Sequence, residues 1–512
     1  MMRVTNTMIR SNTKSNINGN KLLVDLYNTQ MTTQKKITKP SDNPVIAIRS
    51  LRLSTTLSHL NQYLDKNIED ANAWLDVTFT ALNNTKVVLN DIHTACNKGA
   101  NGPLTAEDRK TILSSLKSSV EQVYADGDAD YSGRTVFTGY RTNKHLTFME
   151  DSKDTTYLIN ESATYKDFTT KRYYSEPITV PNVVDANTAM CNAPVTETEY
   201  KSIRLAYGDI DEDNLILDIK DKNGNQINLS KNYTTEQEWE QYCGGKVVAD
   251  DEIIFIRETG EFIFGKEIAD QISRDDLSIN ISYQKTGFEG SEVRPEYYFD
   301  CVDVTRCKEA ATGKVDTTSQ LYKDNKIEYK YEQQDISYTV ANSTEIVINT
   351  QAAGVFDPDI ARDVTELINV VENAISAHDK VDDIKNMMQE SKYSSDPEAT
   401  KILQSYLDAA QKEADYADDN LQKTYESYIT KFDNYMENAN TAIANVGSTQ
   451  SRLDLIQNRV ENQQETFKAL KSSNEDRDLS DIIIDYYAAY YAYQSSLTAA
   501  GKLGEQTLLN YI

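Results

Sequence analysis

Apolar side chains along this chain follow two rhythms, one helical and one strand-like. From Leu57 the spacing alternates four and three through Leu64, Ile68, Ala71, Leu75, Leu82, Leu89, Ile92 and Cys96, with Asn61, Thr78 and Thr85 filling the other seam positions. Such a heptad seam predicts a helix that packs along other helices, roughly 60 Å long over about forty residues. The same stagger returns late in the chain: Tyr425, Tyr428, Phe432, Tyr435, Ala439, Ala442, Val446, Thr449, Leu453, Ile456, Val460, Gln463, Phe467 and Leu470. It predicts a second helix of about 69 Å. Matched in length and pattern, the two are expected to zip together as an antiparallel rod.

Turn residues punctuate both seams. In KPSDNPVIAIR, from Lys39 to Arg49, Pro40 and Pro44 exclude Lys39 and Asn43 from a helix interior, and Asn43 followed by Pro44 reads as an N-cap and first helical residue. Pro40, Asn43 and Pro44 therefore predict a hinge. Gly99, Gly102 and Pro103 predict a stop, Thr105 a restart, and SSNED at 472–476 a second break. Outside the two breaks lie shorter apolar stripes: Leu22, Leu23, Leu26, Tyr27 and Met31 at one end, and Leu479, Ile483, Tyr486, Tyr490, Tyr493 and Leu497 at the other, widened by Ile482 and Ala489. The terminal helices can pair with each other, yet one partner covers only part of so broad a stripe. Isolated helices are marginal in water, and burying each large apolar side chain contributes roughly 1.5 to 3 kcal/mol before association costs. The leftover surface predicts assembly with further copies or with relatives.

The middle third changes period. LILDIKDKNGNQINL at 215–229 carries an Asn-Gly hairpin signal, IIFIRETGEFIFG at 253–265 a second hairpin around Gly260, and IEYKYEQQDISYTV at 327–340, followed by EIVINT, a third strand group. The expected fold is mainly α with a β-rich insert: a long antiparallel coiled-coil rod of N- and C-terminal helices with the β domain at its tip. Three regions are expected, namely a terminal helical pair (1–43 with 475–512), a helical rod (44–149 with 326–474) and a β-rich outer domain (150–325). The stretch from Phe356 to Leu421 exceeds what a minimal rod needs and suggests an extra helical pair.

Charge and chemistry narrow the function. The net charge is −27, which argues against a nucleic-acid ligand, although residues 1–60 hold Arg3, Arg10, Lys14, Lys21, Lys35, Lys36, Lys39, Arg49 and Arg52 against only Asp25 and Asp42. Cys96, Cys191, Cys243, Cys301 and Cys307 show neither CxxC nor zinc spacing. The first twenty residues carry no apolar signal core, and no run approaches the roughly 20 apolar residues of a membrane span. His59, His93, His145 and His378 are scattered, and DGDADYSG from Asp126 fails as a calcium loop at Tyr131 and Phe137. No phosphate-binding, dinucleotide or nucleophile motif occurs. Neither an enzyme, a cofactor, a metal site nor membrane insertion is expected.

Paired terminal helices, a long rod and a central β insert make a layout that resembles the flagellin family. The likeness is carried by MRVTNTMI from Met2, KKITKPSDNPVIAIRSL from Lys35, QYLDKNIEDANAWLDVTFTAL from Gln62, GRTVFTGYRTNKHLTF from Gly133, GSTQSRLDLIQNR from Gly447, DLSDIIIDYYAAYYAYQSSLTAAGKL from Asp478 and the terminal TLLNYI. It covers residues 1 to about 148 and about 327 to 512. KPSDNP and TLLNYI favour the family's junction members, which sit between hook and filament, over the filament subunit. DYYAAYYAYQ is richer in tyrosine than the family's usual aliphatic and alanine mix. The resemblance implies an extracellular structural protein, exported unfolded through the flagellar type III channel without a cleaved signal. It also implies partners: copies of itself in a ring, flagellin, hook-associated protein 1 and an export chaperone. The alternatives are the filament subunit itself and a secreted coiled-coil adhesin.

Overall fold

The computed structural model describes residues 6–102, 104–174, 178–185, 188–191, 197–220, 226–242, 248–309 and 313–505. Its helices are α1 (Asn6–Thr33), α2 (Pro44–Gln62), α3 (Glu69–Ala100), α4 (Ala106–Gln122), α5 (Glu236–Tyr242), α6 (Lys266–Asp275), α7 (Gln320–Asn325), α8 (Asp359–Gln389), α9 (Ser391–Ser394), α10 (Pro397–Glu475) and α11 (Leu479–Glu505). The strands are β1 (Asp130–Tyr131), β2 (Arg134–Thr135), β3 (Ser152–Ala163), β4 (Thr169–Tyr174), β5 (Glu197–Arg204), β6 (Ile216–Lys220), β7 (Gln226–Ile227) and β8 (Lys231–Tyr233). They continue as β9 (Ile253–Ile256), β10 (Glu261–Phe264), β11 (Ile279–Phe288), β12 (Asp300–Asp303), β13 (Ile327–Tyr329), β14 (Ser337–Ala341) and β15 (Thr344–Val347). The fold is mainly helical with a β-rich region. The chain divides into two compact units, one of Met1–Asn72, Tyr338–Ile346 and Ser451–Ile512, the other of Ala73–Ser337 and Val347–Gln450.

In the first unit, Asn43 caps α2 as its sequence predicts, its side-chain oxygen accepting from Val45 N at 3.1 Å and Ile46 N at 3.3 Å, with Pro44 opening the helix. The end of α10 runs antiparallel to α2: Gln464 Nε2 donates to Asn61 Oδ1 at 2.7 Å, and Asn474 Nδ2 to Ile46 O at 3.1 Å. Between α2 and α3 the helix widens into a π-turn, Tyr63–Ile68. The seam departs from the uniform heptad here. Leu53, Leu57 and Leu60 are buried and Asn61 is exposed, because leucine gains more from burial than asparagine and the π-turn takes up the offset. Across from it Gln464, not Gln463, is half-buried.

In the second unit α3, α4, α8 and the first part of α10 form a bundle. Thr105 and Asp108 close a capping box at the start of α4. The α3 and α10 helices are antiparallel, with Gln450 Nε2 on Asp76 Oδ1 at 2.7 Å and His93 Nε2 on Asp433 Oδ1 at 3.2 Å. The α8 and α10 helices form the extra pair suggested for 356–421, joined by Lys380 to Glu413 at 2.7 Å and His378 to Asp418 at 2.9 Å. Gly99 lets α3 approach α10, since a Cβ there would lie 2.4 Å from Tyr425 Cδ1. Tyr425 is fully buried, so Gly99→Ala is expected to lower stability by about 1 to 3 kcal/mol through overpacking, read by urea denaturation.

Two sheets build the β-rich region of this unit. One has the order β4-β5-β10-β9-β8 and the other β13-β12-β3-β11-β6-β7. The β9–β10 hairpin forms around Gly260 at φ +60°, where a Cβ would meet Tyr207 O at 2.2 Å. The predicted Asn223-Gly224 turn lies outside the described residues, though β6 and β7 on either side pair antiparallel. Tyr157, Ile159, Phe255, Phe262, Phe264, Ile281 and Tyr283 fill the core.

Arginines join sheet and bundle. Arg204 of β5 pairs with the fully buried Asp363 of α8. Arg362 returns the contact, donating to Leu205 O and Thr259 O. Next to them Glu161 accepts from Tyr283 Oη and from Ala206 N. Burial pushes its carboxyl up to about 7, against the pull of the Tyr283 hydroxyl and with Asp359 adding repulsion. Its folded pKa exceeds the ordinary value of 4.5, so the folded state binds the extra proton and this group's contribution falls as pH rises from about 4.5 to about 7. Asp359, pushed to about 6 mainly by burial, acts in the same direction. Glu161→Gln, which mimics the protonated form, is expected to melt higher than the parent at pH 8 and to show a smaller difference between pH 5 and pH 8 in thermal melts.

Candidate assembly surface

Asparagine and threonine are modest helix formers, and α1 carries many of both. Thr13, Thr29, Thr32 and Thr33 turn their hydroxyls back onto carbonyls four residues earlier, at 2.8 to 3.0 Å, a habit that does not strengthen a helix. Packing against α11 must therefore hold α1. The two run antiparallel. Near mid-length Asn20 Nδ2 donates to Ser496 Oγ at 2.5 Å and to Ala492 O at 3.3 Å. At the base Arg477 donates to Gln30 Oε1 at 2.9 Å, pairs with Asp485 and lies 5.4 Å from the Tyr27 ring centroid. Gln30 is buried and donates to Lys36 O at 2.8 Å. The backbones cross-link there through Lys36 N to Glu475 O and Arg477 N to Gln34 O.

The inner face of this pair is narrow. On α11 the buried residues are Ile482 and Ala489, the two that widen the stripe in the sequence. Tyr27, Met31, Tyr486 and Tyr493 are half-buried, whereas Leu22, Leu23, Leu26, Leu479, Ile483, Tyr490 and Leu497 are exposed, Leu22 at 69%. The small Ala489 sits at the contact, and the bulky rings turn outward. Ile484, Tyr487 and Tyr491 join the exposed set, an extension that IIIDYYAAYY could have revealed had the stripe been read all round the helix. The tyrosines stack along the helix in two rows, Tyr486 on Tyr490 with centroids 6.1 Å apart and Tyr487 on Tyr491 at 6.3 Å. Exposed apolar groups this dense make the pair a candidate interaction surface.

The seam residues divide by depth. Ile68, Leu75, Leu82, Leu89, Phe432, Leu453, Ile456 and Val460 are buried, while Leu64 and Phe467 are half-buried. At the proposed hinge Pro40 and Pro44 are exposed and Asn43 is half-buried. Asp128, one of the acids of the rejected calcium loop, accepts from Leu146 N at 2.5 Å and Thr147 Oγ1 at 2.6 Å. Trp74 is buried with Arg134 5.4 Å from its ring centroid, a packing position. Among the described residues, no helix is long and apolar enough to cross a membrane, and no group of three or more His, Cys, Asp or Glu is placed to hold a metal ion. A cleft of about 1110 Å³ between sheet and bundle in the second unit is lined by charges that pair with one another, among them Lys171 with Glu261.

A solved Vibrio parahaemolyticus protein described as flagellar hook-associated aligns at 14% identity over 85% of this chain and 100% of its own, with a TM-score of 0.34. Flagellar hook-associated protein 3 of Legionella pneumophila aligns at 9% identity over 82% and 97%, with a TM-score of 0.30. Flagellar hook-associated protein 3 of Salmonella typhimurium is 27% identical over 146 residues, 28% of this chain and 44% of that one, so the match spans less than half of the curated relative. Residues 4–142 match the bacterial flagellin N-terminal helical region, and the chain is similar to flagellar hook-associated protein 3.

Proposed function

We propose that this protein is a structural subunit of the bacterial flagellum, forming the junction between hook and filament by co-assembly through α1 and α11. The observation that carries the reading is the outward apolar stripe of that pair, on a chain whose residues 4–142 match the flagellin N-terminal helical region. In this reading residues 1–43 with 475–512 form the inner assembly domain, 44–149 with 326–474 a long coiled-coil rod, and 150–325 the outer domain. Pro40, Asn43 and Pro44 are the hinge between the first two. Antiparallel pairing of α2 with α10 and of α3 with α10 supports the rod. The neighbours are copies of itself in a ring, hook-associated protein 1 and flagellin. An export chaperone covers the C-terminal helix before passage through the type III channel, and the site of action is outside the cell.

Hydrogen exchange on the purified monomer tests the assembly claim. Amides before Pro40 and after Asp478 are expected to exchange rapidly, while those of Leu75–Leu89 and Phe432–Val446 stay protected. Protection of the terminal pair equal to that of the buried seams would reject the idea that neighbours complete it, and would favour a self-sufficient adhesin.

A further inference from the structure

The π-turn at Tyr63–Ile68 separates two buried stretches of the first unit, Leu53, Leu57 and Leu60 before it, Ile68 and Ala71 after it. Leu60 and Ile68 are eight residues apart, and two α-turns take about 7.2, so the π-turn absorbs most of one extra residue. The same sequence offers a second path. An unbroken α-helix through Leu57, Leu64 and Ile68 would bring Ser54 and Asn61 inward in place of Leu53 and Leu60. Leucine burial favours the first path, and a regular hydrogen-bond ladder favours the second.

A side-chain hydrogen bond ties the turn to another element. Asn67 Nδ2 donates to Thr339 O of the β14–β15 hairpin at 2.7 Å. Val340, Ala341 and Ile346 of the hairpin are buried. Among the described residues two strands make up this sheet, and an unpaired strand edge is one that another chain can engage.

We propose that the π-turn is a rotation switch for α2, latched by Asn67 on the hairpin: when the hairpin moves away, the turn closes to α and α2 rotates about its axis. The rotation is about 80°, the roughly 0.8 residue taken up by the turn at ~100° per residue of an α-helix. It carries Leu53 and Leu60 outward and Ser54 and Asn61 inward. The switch needs only residues of this chain, so it stands whether or not the protein builds a junction.

Two reporter cysteines read the rotation in the full-length chain without removing a leucine. Ser54 and Thr56 are both half-buried, and rotation buries the first while exposing the second. Ser54→Cys and Thr56→Cys are made singly, reacted with a maleimide, and quantified by peptide mass mapping, which keeps the native cysteines separate. With Asn67 intact the two rates are expected to lie within a few-fold of each other. With Asn67→Asp, which keeps the shape and loses the donor, the ratio of the Thr56→Cys rate to the Ser54→Cys rate is expected to rise tenfold or more. An unchanged ratio in a variant with the parent's melting temperature overturns the latch. A second arm does not depend on that variant folding: deleting Lys66 removes the extra residue and lets the turn close with Leu60 still inside. Its ratio is expected to match the parent's, and a tenfold shift there overturns the proposal.

Discussion

Cells that carry Leu22→Ser, Leu26→Ser, Ile484→Ser and Tyr491→Ser together are expected to assemble hooks but shed flagellin into the medium instead of growing filaments. Each of these side chains is exposed, from 38% for Leu26 to 69% for Leu22, so the isolated chain loses little. Exposed substitutions usually change stability by less than about 0.5 kcal/mol each. In an assembled ring the same side chains would be buried against neighbours, where each large apolar group contributes roughly 1.5 to 3 kcal/mol. Four losses of that size per interface reduce association by many orders of magnitude, since about 1.4 kcal/mol is tenfold. The measurements are the melting curve of the purified chain, expected unchanged, and electron micrographs of the cells. Filaments of normal length on cells with the quadruple variant would remove the terminal pair from the assembly.

Asp363→Ala is expected to be the most destabilising single change in the second unit. The Asp363 carboxylate is fully buried and takes Arg204, Lys431 Nζ at 3.3 Å and Tyr435 Oη at 3.0 Å. Burial, reinforced by this carboxylate, raises the Tyr435 phenol far above its ordinary range. Breaking a buried ion pair by removing one partner costs about 3 to 5 kcal/mol, because the remaining charge is left without compensation. For a unit of this size that lowers the melting temperature by roughly 5 °C. Asp363→Leu combined with Arg204→Met is expected to recover part of the loss, since the buried guanidinium is no longer stranded and Lys431, one-third exposed, can turn to water. A loss under about 1 kcal/mol for Asp363→Ala would mean that water reaches Arg204.

The helical part of this architecture is legible because its signals are local. Asn43 with Pro44, Thr105 with Asp108, the Gly260 hairpin and the break after Glu475 each depend on a few adjacent residues. The phase of the seam at Leu60 is not local: Asn61 fits a heptad equally well, and the choice depends on a turn that also answers to the distant Thr339 carbonyl. Nor does sequence spacing join Arg204 to Asp363, brought together by sheet and bundle, or Glu161 to Tyr283, brought together by the pairing of β3 with β11, each across more than a hundred positions. At the terminal pair the apolar residues were visible but their direction was not. Ile482 is buried together with Ala489, seven residues on, while Ile483 is exposed.

Asn20 and Ser496 place a polar contact in the middle of an otherwise thin seam. Sliding α1 along α11 by one turn would strand the amide opposite a hydrocarbon, so alignment is enforced although affinity is not increased. Every copy then presents the same outer relief, which the proposed ring would require of a subunit repeated around a circle.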